Sequence, residues 1–156
     1  MGKRTASAEK LIADPRFNSK LVSKFVNCLM WSGKKATATR IMYGAMDQII
    51  NRMPGIDPLE VFTVAIENVK PTVEVRSKRV GGANYQVPMQ VNRVRQQSLA
   101  IRWIIAACRG KTGRPMHLRL AEELMAAFNR QGEAVSKREQ TIKMAEANKA
   151  FSHFAW

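Results

Sequence analysis

Few side chains in this sequence are spaced for covalent or metal chemistry. Gly110-Lys111-Thr112 imitates the end of a phosphate-cradling loop, yet the first glycine such a loop needs falls at Ile105, and a helical pattern rather than a strand precedes it. Ser7-Ala8-Glu9-Lys10 and Lys111-Thr112-Gly113 copy two of the three serine β-lactamase motifs, but the third is missing and the serine lies in a charged arm. His117 and His153 have no Cys, Asp or Glu at ligand spacing beside them. Glu60, Glu67, Glu122 and Glu123 fall on helical patterns where caps, dipoles and ion pairs account for them. No nucleophile, base and orienter can be assembled, so no catalytic residue, metal ligand or cofactor is expected.

The chemistry that remains is phosphate binding. Among 156 residues there are 26 Lys plus Arg against 12 Asp plus Glu, a net charge of +14, which costs self-repulsion unless a polyanion neutralises it. A nucleic acid is the first candidate partner and a membrane surface the second. No carboxylate occurs from Pro15 to Met46, where Arg16, Lys20, Lys24, Lys34, Lys35 and Arg40 stand. None occurs from Val75 to Ala121 either, against Arg76, Lys78, Arg79, Arg93, Arg95, Arg102, Arg109, Lys111, Arg114 and Arg119. A merely solvated face mixes signs because opposite charges one turn apart stabilise a helix; these stretches omit that compensation. The start MGKRTASAEK has no apolar stretch, and nowhere do about 18 apolar residues run together, so a soluble, intracellular protein is expected. Cys28 and Cys108 sit in apolar helical patterns without a near partner and are expected to be buried free thiols.

The elements that must carry these charges are mostly helices. Residues 1–14 read as a basic extended arm and 15–156 as one helical domain. A first helix is capped by Asn18 or Ser19, carries Leu21, Val22, Phe25, Val26, Leu29 and Met30 along one stripe, and stops at Gly33. A second runs from about Thr37 to Arg52 with Ile41, Met42, Ala45, Met46, Ile49 and Ile50 on its apolar face. Asp57-Pro58 opens a third, an N-cap followed by proline at the first helical position. A fourth spans roughly Arg93 to Arg109 and a fifth Pro115 to Arg130. A sixth starts at Ser136, where Glu139 completes a capping box. The fold class is therefore mainly α, one bundle of about six helices, with a single protruding two-stranded β-hairpin at about 72–91 between the third and fourth.

The hairpin VEVRSKRVGGANYQVPMQV surrounds Gly81-Gly82. A two-residue loop would set Val75 opposite Pro88 and Val73 opposite Gln90, apolar against polar. A three-residue loop or a bulge instead gathers Val73, Val75, Val87, Met89 and Val91 on one face, and leaves Glu74, Arg76, Lys78 and the glutamines on the other; this register is expected. A lone ribbon is marginal in water, so its tip, with Arg76, Lys78, Arg79 and an exposed Tyr85, reads as an arm that orders against a partner.

That hairpin, QQSLAIRW at Gln96–Trp103, KRE at Lys137–Glu139 and MAEANKAFSHF at Met144–Phe154 resemble the family of protein seven of the small ribosomal subunit, in its bacterial and organellar form. LMWSGKK at Leu29–Lys35 and DPLEVF at Asp57–Phe62 match in order, and the resemblance covers the chain from Asp14. It implies a helical body with a β-ribbon, direct binding to the 3′ major domain of small-subunit rRNA, nucleation of head assembly, and a place at the subunit interface beside exit-site tRNA and mRNA. It also implies neighbouring ribosomal proteins as partners, on a cytoplasmic or organellar ribosome. The family usually has a basic or histidine residue where Ile142 stands and a denser basic run around Arg109 to Arg114. The candidate RNA-binding residues are Lys3, Arg4, Lys10, Lys34, Lys35, Arg76, Lys78, Arg79, Tyr85, Arg93, Arg95, Arg102, Arg109, Lys111, Arg114 and Arg119, in a chain expected to be monomeric when free and to bind no membrane. The rival is a DNA-bending architectural protein, whose basic ribbon would need an apolar wedge at its tip.

Overall fold

The computed structural model of the chain describes residues 8–155. A short 3-10 turn at Ala8–Lys10 leads into six α-helices, α1 (Lys20–Leu29), α2 (Lys35–Arg52), α3 (Pro58–Val69), α4 (Arg93–Gly110), α5 (Met116–Phe128) and α6 (Glu133–Ala147). Strands β1 (Val73–Val80) and β2 (Ala83–Gln90) form the hairpin between α3 and α4, and a 3-10 helix at Lys149–Phe154 follows α6. The helical body and the single ribbon are those expected from the sequence.

The body forms around α5, which packs on α2, α3, α4 and α6. Phe25 of α1 meets Phe62 of α3 edge to face at 5.3 Å, both fully buried with Met42, Met46, Ile49, Ile66, Ile104, Leu120 and Leu124. Gly44 lets α2 approach α5 closely: a Cβ there would lie 3.1 Å from the Cβ of His117. Ser19 caps α1 through Val22 N–H, and Asp57 caps α3 through Leu59 N–H at 3.0 Å with Pro58 behind it. Asn92 caps α4 by accepting from Arg95 N–H at 2.9 Å. Where the arm joins the body, Asp14 is buried and accepts hydrogen bonds from the Tyr43 hydroxyl at 2.9 Å and from the Arg16 and Phe17 N–H groups at 3.0 Å. Burial and this bond raise the Tyr43 pKa.

Several expectations are corrected. The hairpin takes the two-residue loop: Val73 faces Gln90, Val75 faces Pro88 and Val80 faces Ala83. Gly81 and Gly82 have φ of 58° and 85°, the double positive φ of a type I′ turn, whose twist matches that of the flanking strands. Turn geometry thus overrides the matching of apolar partners, and Glu74, Arg76 and Lys78 share a face with Met89, Val87 and Tyr85. Helix α6 begins at Glu133 after Gly132, three residues ahead of Ser136, so Ser136 and Glu139 form no capping box. Its open N-terminus is instead satisfied by tertiary contact, with Ala134 N–H donating to Glu123 Oε1 of α5 at 2.9 Å. Helix α1 ends at Leu29, four residues before Gly33, whose φ of 74° belongs to the turn that follows. Ile50 is exposed, pointing away from the α2 core face. Cys28 is exposed and only Cys108 is buried.

Candidate nucleic-acid interface

Helix α4 buries Leu99, Ala100, Ile101, Ile104, Ile105 and Cys108, which leaves one narrow strip of its surface to solvent. Arg95, Arg102 and Arg109 fall on that strip because seven residues make nearly two turns of about 3.6 residues each. They form a ridge about 21 Å long at a rise of about 1.5 Å per residue.

Both ends of the ridge are tied to other elements. At the N-terminal end Glu74 of β1, only 8% exposed, accepts from Arg95 Nη2 at 3.2 Å, and Arg76 Nη2 lies 2.8 Å from its other oxygen. Burial works to raise the Glu74 pKa, but the hydrogen bonds from Arg95 and Arg76 outweigh it and hold the carboxyl below its ordinary value. At the C-terminal end Arg109 Nη2 donates to the Leu29 carbonyl at 3.1 Å, and its guanidinium lies over the Trp31 ring, 4.9 Å from the centroid. This contact brings the two carboxylate-free stretches of the sequence together, with Trp31 at the junction and Lys34 and Lys35 three and four residues beyond it in the chain. Between the ends, Arg102 is exposed and makes no ion pair among the described residues. Lys24 and Arg102 both act on the Cys28 thiol, so α1 also lends a cation to the ridge; partial burial pushes that thiol up while the two cations pull it down.

The loop from α4 to α5 uses its cations differently. Lys111 Nζ pairs with Glu123 Oε2 at 3.3 Å, and the Glu123 side chain has no exposure at all. Arg114 pairs with Glu122, which Arg52 also approaches at 3.6 Å. Arg119 turns inward and donates Nη1 to the carbonyls of Cys108, at 3.0 Å, and Lys111, closing off the C-terminus of α4. Burial, with the nearby charge of Glu123, pushes the Cys108 thiol up to about 12. The acid-free run is thus bracketed by Glu74, Glu122 and Glu123, and the fold brings these three back onto it.

At the hairpin, Tyr85 is half-buried between Phe151 and Phe154, with ring centroids at 5.1 and 5.0 Å. Lys78 Nζ donates to the Phe154 carbonyl at 2.7 Å. The expected exposure of Tyr85 is corrected: the C-terminal 3-10 helix covers one face of the ribbon. The reason is that Tyr85 stands opposite Lys78, on the same face as buried Val87 and Glu74. Arg79 and Arg93 are exposed, as are Lys34, Lys35 and Lys10. Lys3 and Arg4 lie outside the described residues.

Sequence reasoning passed over two features. The spacing of Arg95, Arg102 and Arg109 by seven was a readable signal of one helical face. Trp31, 66% exposed, carried no such signal, because a tryptophan just after a helix ordinarily returns to the core. No described helix is long and apolar enough to cross a membrane, and no group of three or more described His, Cys, Asp or Glu side chains could hold a metal.

Comparison with known proteins gives a consistent result. The family model described as ribosomal protein S7p/S5e matches residues 1–149. The chain is similar to small ribosomal subunit protein uS7 of Rhodopirellula baltica, 62% identical over 157 residues covering all of both chains. It is 54% identical to uS7 of Thermotoga neapolitana over 156 residues, again covering both completely. With uS7 of Desulfotalea psychrophila it shares 53% identity over 154 residues, 99% of this chain and 98% of the relative.

Proposed function

This chain belongs to the ribosomal protein S7p/S5e family and is a structural constituent of the small ribosomal subunit rather than an enzyme; from that premise we propose that it is a primary binder of the 3′ major domain of small-subunit rRNA. In this reading it nucleates assembly of the subunit head, touches neighbouring ribosomal proteins, and lies at the subunit interface beside exit-site tRNA and mRNA. Its bacterial relatives support the cytoplasmic ribosome as the setting.

The observation that carries the reading is the arginine ridge, rooted by one face of α4 in the core and joined at its ends to the ribbon and to the loop of Lys34 and Lys35. Fixed cations on a rigid element suit phosphate contacts that set position and register. Because the A-form major groove is too narrow for side chains to read, selectivity comes from the folded shape of the RNA and its single-stranded elements. A DNA-bending role would call for an apolar wedge at the ribbon tip, where Gly81 and Gly82 stand instead.

Competition tests this directly. Transcribed 3′ major domain RNA is expected to displace duplex DNA of random sequence from the protein at equal phosphate concentration. Displacement of the RNA by the DNA would defeat the proposal.

A further inference from the structure

We propose that Trp31 is a stacking platform for an unpaired RNA base, with Arg109 fixing the ring from behind. The inference deepens the RNA-binding reading and rests on it. The Trp31 ring carries a guanidinium on one side, so its 66% exposure lies on the opposite face and the edges. The ring therefore presents one open aromatic surface whose partner face is already taken.

The local backbone holds it there. After α1 ends, Ser32 and Gly33 both take positive φ, 50° and 74°, and the Lys34 and Lys35 N–H groups donate to the carbonyls of Trp31 and Gly33 at 2.9 Å. A serine at positive φ is uncommon and marks a constrained turn. This turn directs the indole outward, whereas Leu29 just before it is core. The Arg109 guanidinium is held in turn by the Leu29 carbonyl, so ring and cation form a preset pair rather than two free side chains.

The surroundings select the occupant. Lys34 and Lys35, both exposed, stand three and four residues after the ring, Arg109 lies against it, and no carboxylate occurs from Pro15 to Met46, so the segment that carries the ring is basic. An apolar protein partner would be a poor match for that charge. A splayed-out base with its phosphates satisfies both parts, stacking on the ring while its backbone meets the lysines. A cation on the far side of the ring adds attraction to the stack.

The test uses the full chain and 3′ major domain RNA. Trp31→Ala should weaken binding about 5- to 150-fold, the range of single base–aromatic stacks, while the slope of log affinity against log salt stays as in wild type. Trp31→Phe should recover most of the loss. Wild type should show a quench of tryptophan emission at saturating RNA that Trp31→Ala lacks. Wild-type affinity in Trp31→Ala would overturn the proposal, and so would a loss accompanied by a slope reduced by about 1, which would make Trp31 only a support for Arg109. An emission change that appears only after neighbouring ribosomal proteins are added would assign the ring to a protein contact and overturn it as well. If wild type itself failed to prefer the RNA to duplex DNA, the broader reading would fall first, an outcome distinct from these.

Discussion

The α4 ridge and the β1–β2 ribbon both present basic side chains, but different forces hold them in place. The ridge is the outer strip of a helix whose other faces are buried among α1, α3, α5 and α6, so its arginines inherit the rigidity of the core. The ribbon has two edges and no second sheet. It packs on α6 with Val87 buried, and is tied at its base by one carboxylate between two arginines and farther out by Tyr85 set between two phenylalanines. A charge on the ridge can be presented at fixed spacing, whereas a charge on the ribbon depends on contacts worth about 1 kcal/mol each. In the proposed reading the two regions suit different tasks: positioning on RNA for the ridge, and reaching a more distant surface for the ribbon.

The largest effect should come from loosening the rooted end of the ridge. Glu123 joins Lys111 to the N-terminus of α6, and Glu123→Ala leaves a cation unpaired and the Ala134 N–H unsatisfied. A loss of about 2–3 kcal/mol in unfolding free energy is expected from denaturant titration, set by the unsatisfied N–H and the space left at Glu123, because Lys111 is partly exposed and water can take over its charge. A loss under about 1 kcal/mol would show that the ridge does not depend on this junction.

Next come charges compared between regions. Replacing Lys34, Lys35 and Arg102 together by alanine should lower the salt slope of RNA binding by about 3, roughly one per phosphate contact, without changing which RNA is preferred. Removing Arg79–Asn84 and joining Lys78 to Tyr85 through Asn-Gly keeps the hairpin register and should leave both slope and affinity near wild type. The same deletion, carried into assembled subunits, should disturb retention of exit-site tRNA. If the deletion weakened RNA binding while tRNA retention stayed normal, the two roles would have to be exchanged.

A smaller and local effect is expected from Tyr85→Ala, about 1 kcal/mol. Amide exchange should accelerate in Lys149–Phe154 and in the outer ribbon while α4 stays protected. Uniform acceleration would mean that ribbon and body open as one unit. The smallest effect is acid titration of the ribbon's base. Glu74 has a folded pKa below its ordinary value, so the stability it adds is present above that ordinary value and is lost as pH falls through the folded one. Exchange in β1 and β2 should therefore rise with acid before exchange in α4 does, and Glu74→Gln should abolish that order.

Much of the architecture could be read in the chain before folding was considered. The helices follow from apolar residues at three- and four-residue spacing, from Ser19 and from Asp57-Pro58, all local signals with local causes. The clustering of cations was legible for the same reason. Sequence reading failed where a distant residue replaces a local one. Ser136 and Glu139 look like a cap, yet Glu123 from the preceding helix satisfies α6 three residues earlier. In the hairpin two local preferences conflicted, and the paired glycines settled the register against the pairing of valines.

The sequence by itself determined the helical class, the ribbon and its tip, the basic character, and the family through motifs kept in order. Tertiary structure alone decided which cations are free to act. Arg119 caps α4 and Lys111 is joined to Glu123, while Arg102 remains open, though all three lie in the same carboxylate-free stretch. Pairing depends on distance in space, and the carboxylates that neutralise this stretch stand just outside it along the chain. The placement of Trp31 against Arg109 has the same origin, since residues 78 positions apart meet only once α1 and α4 have packed.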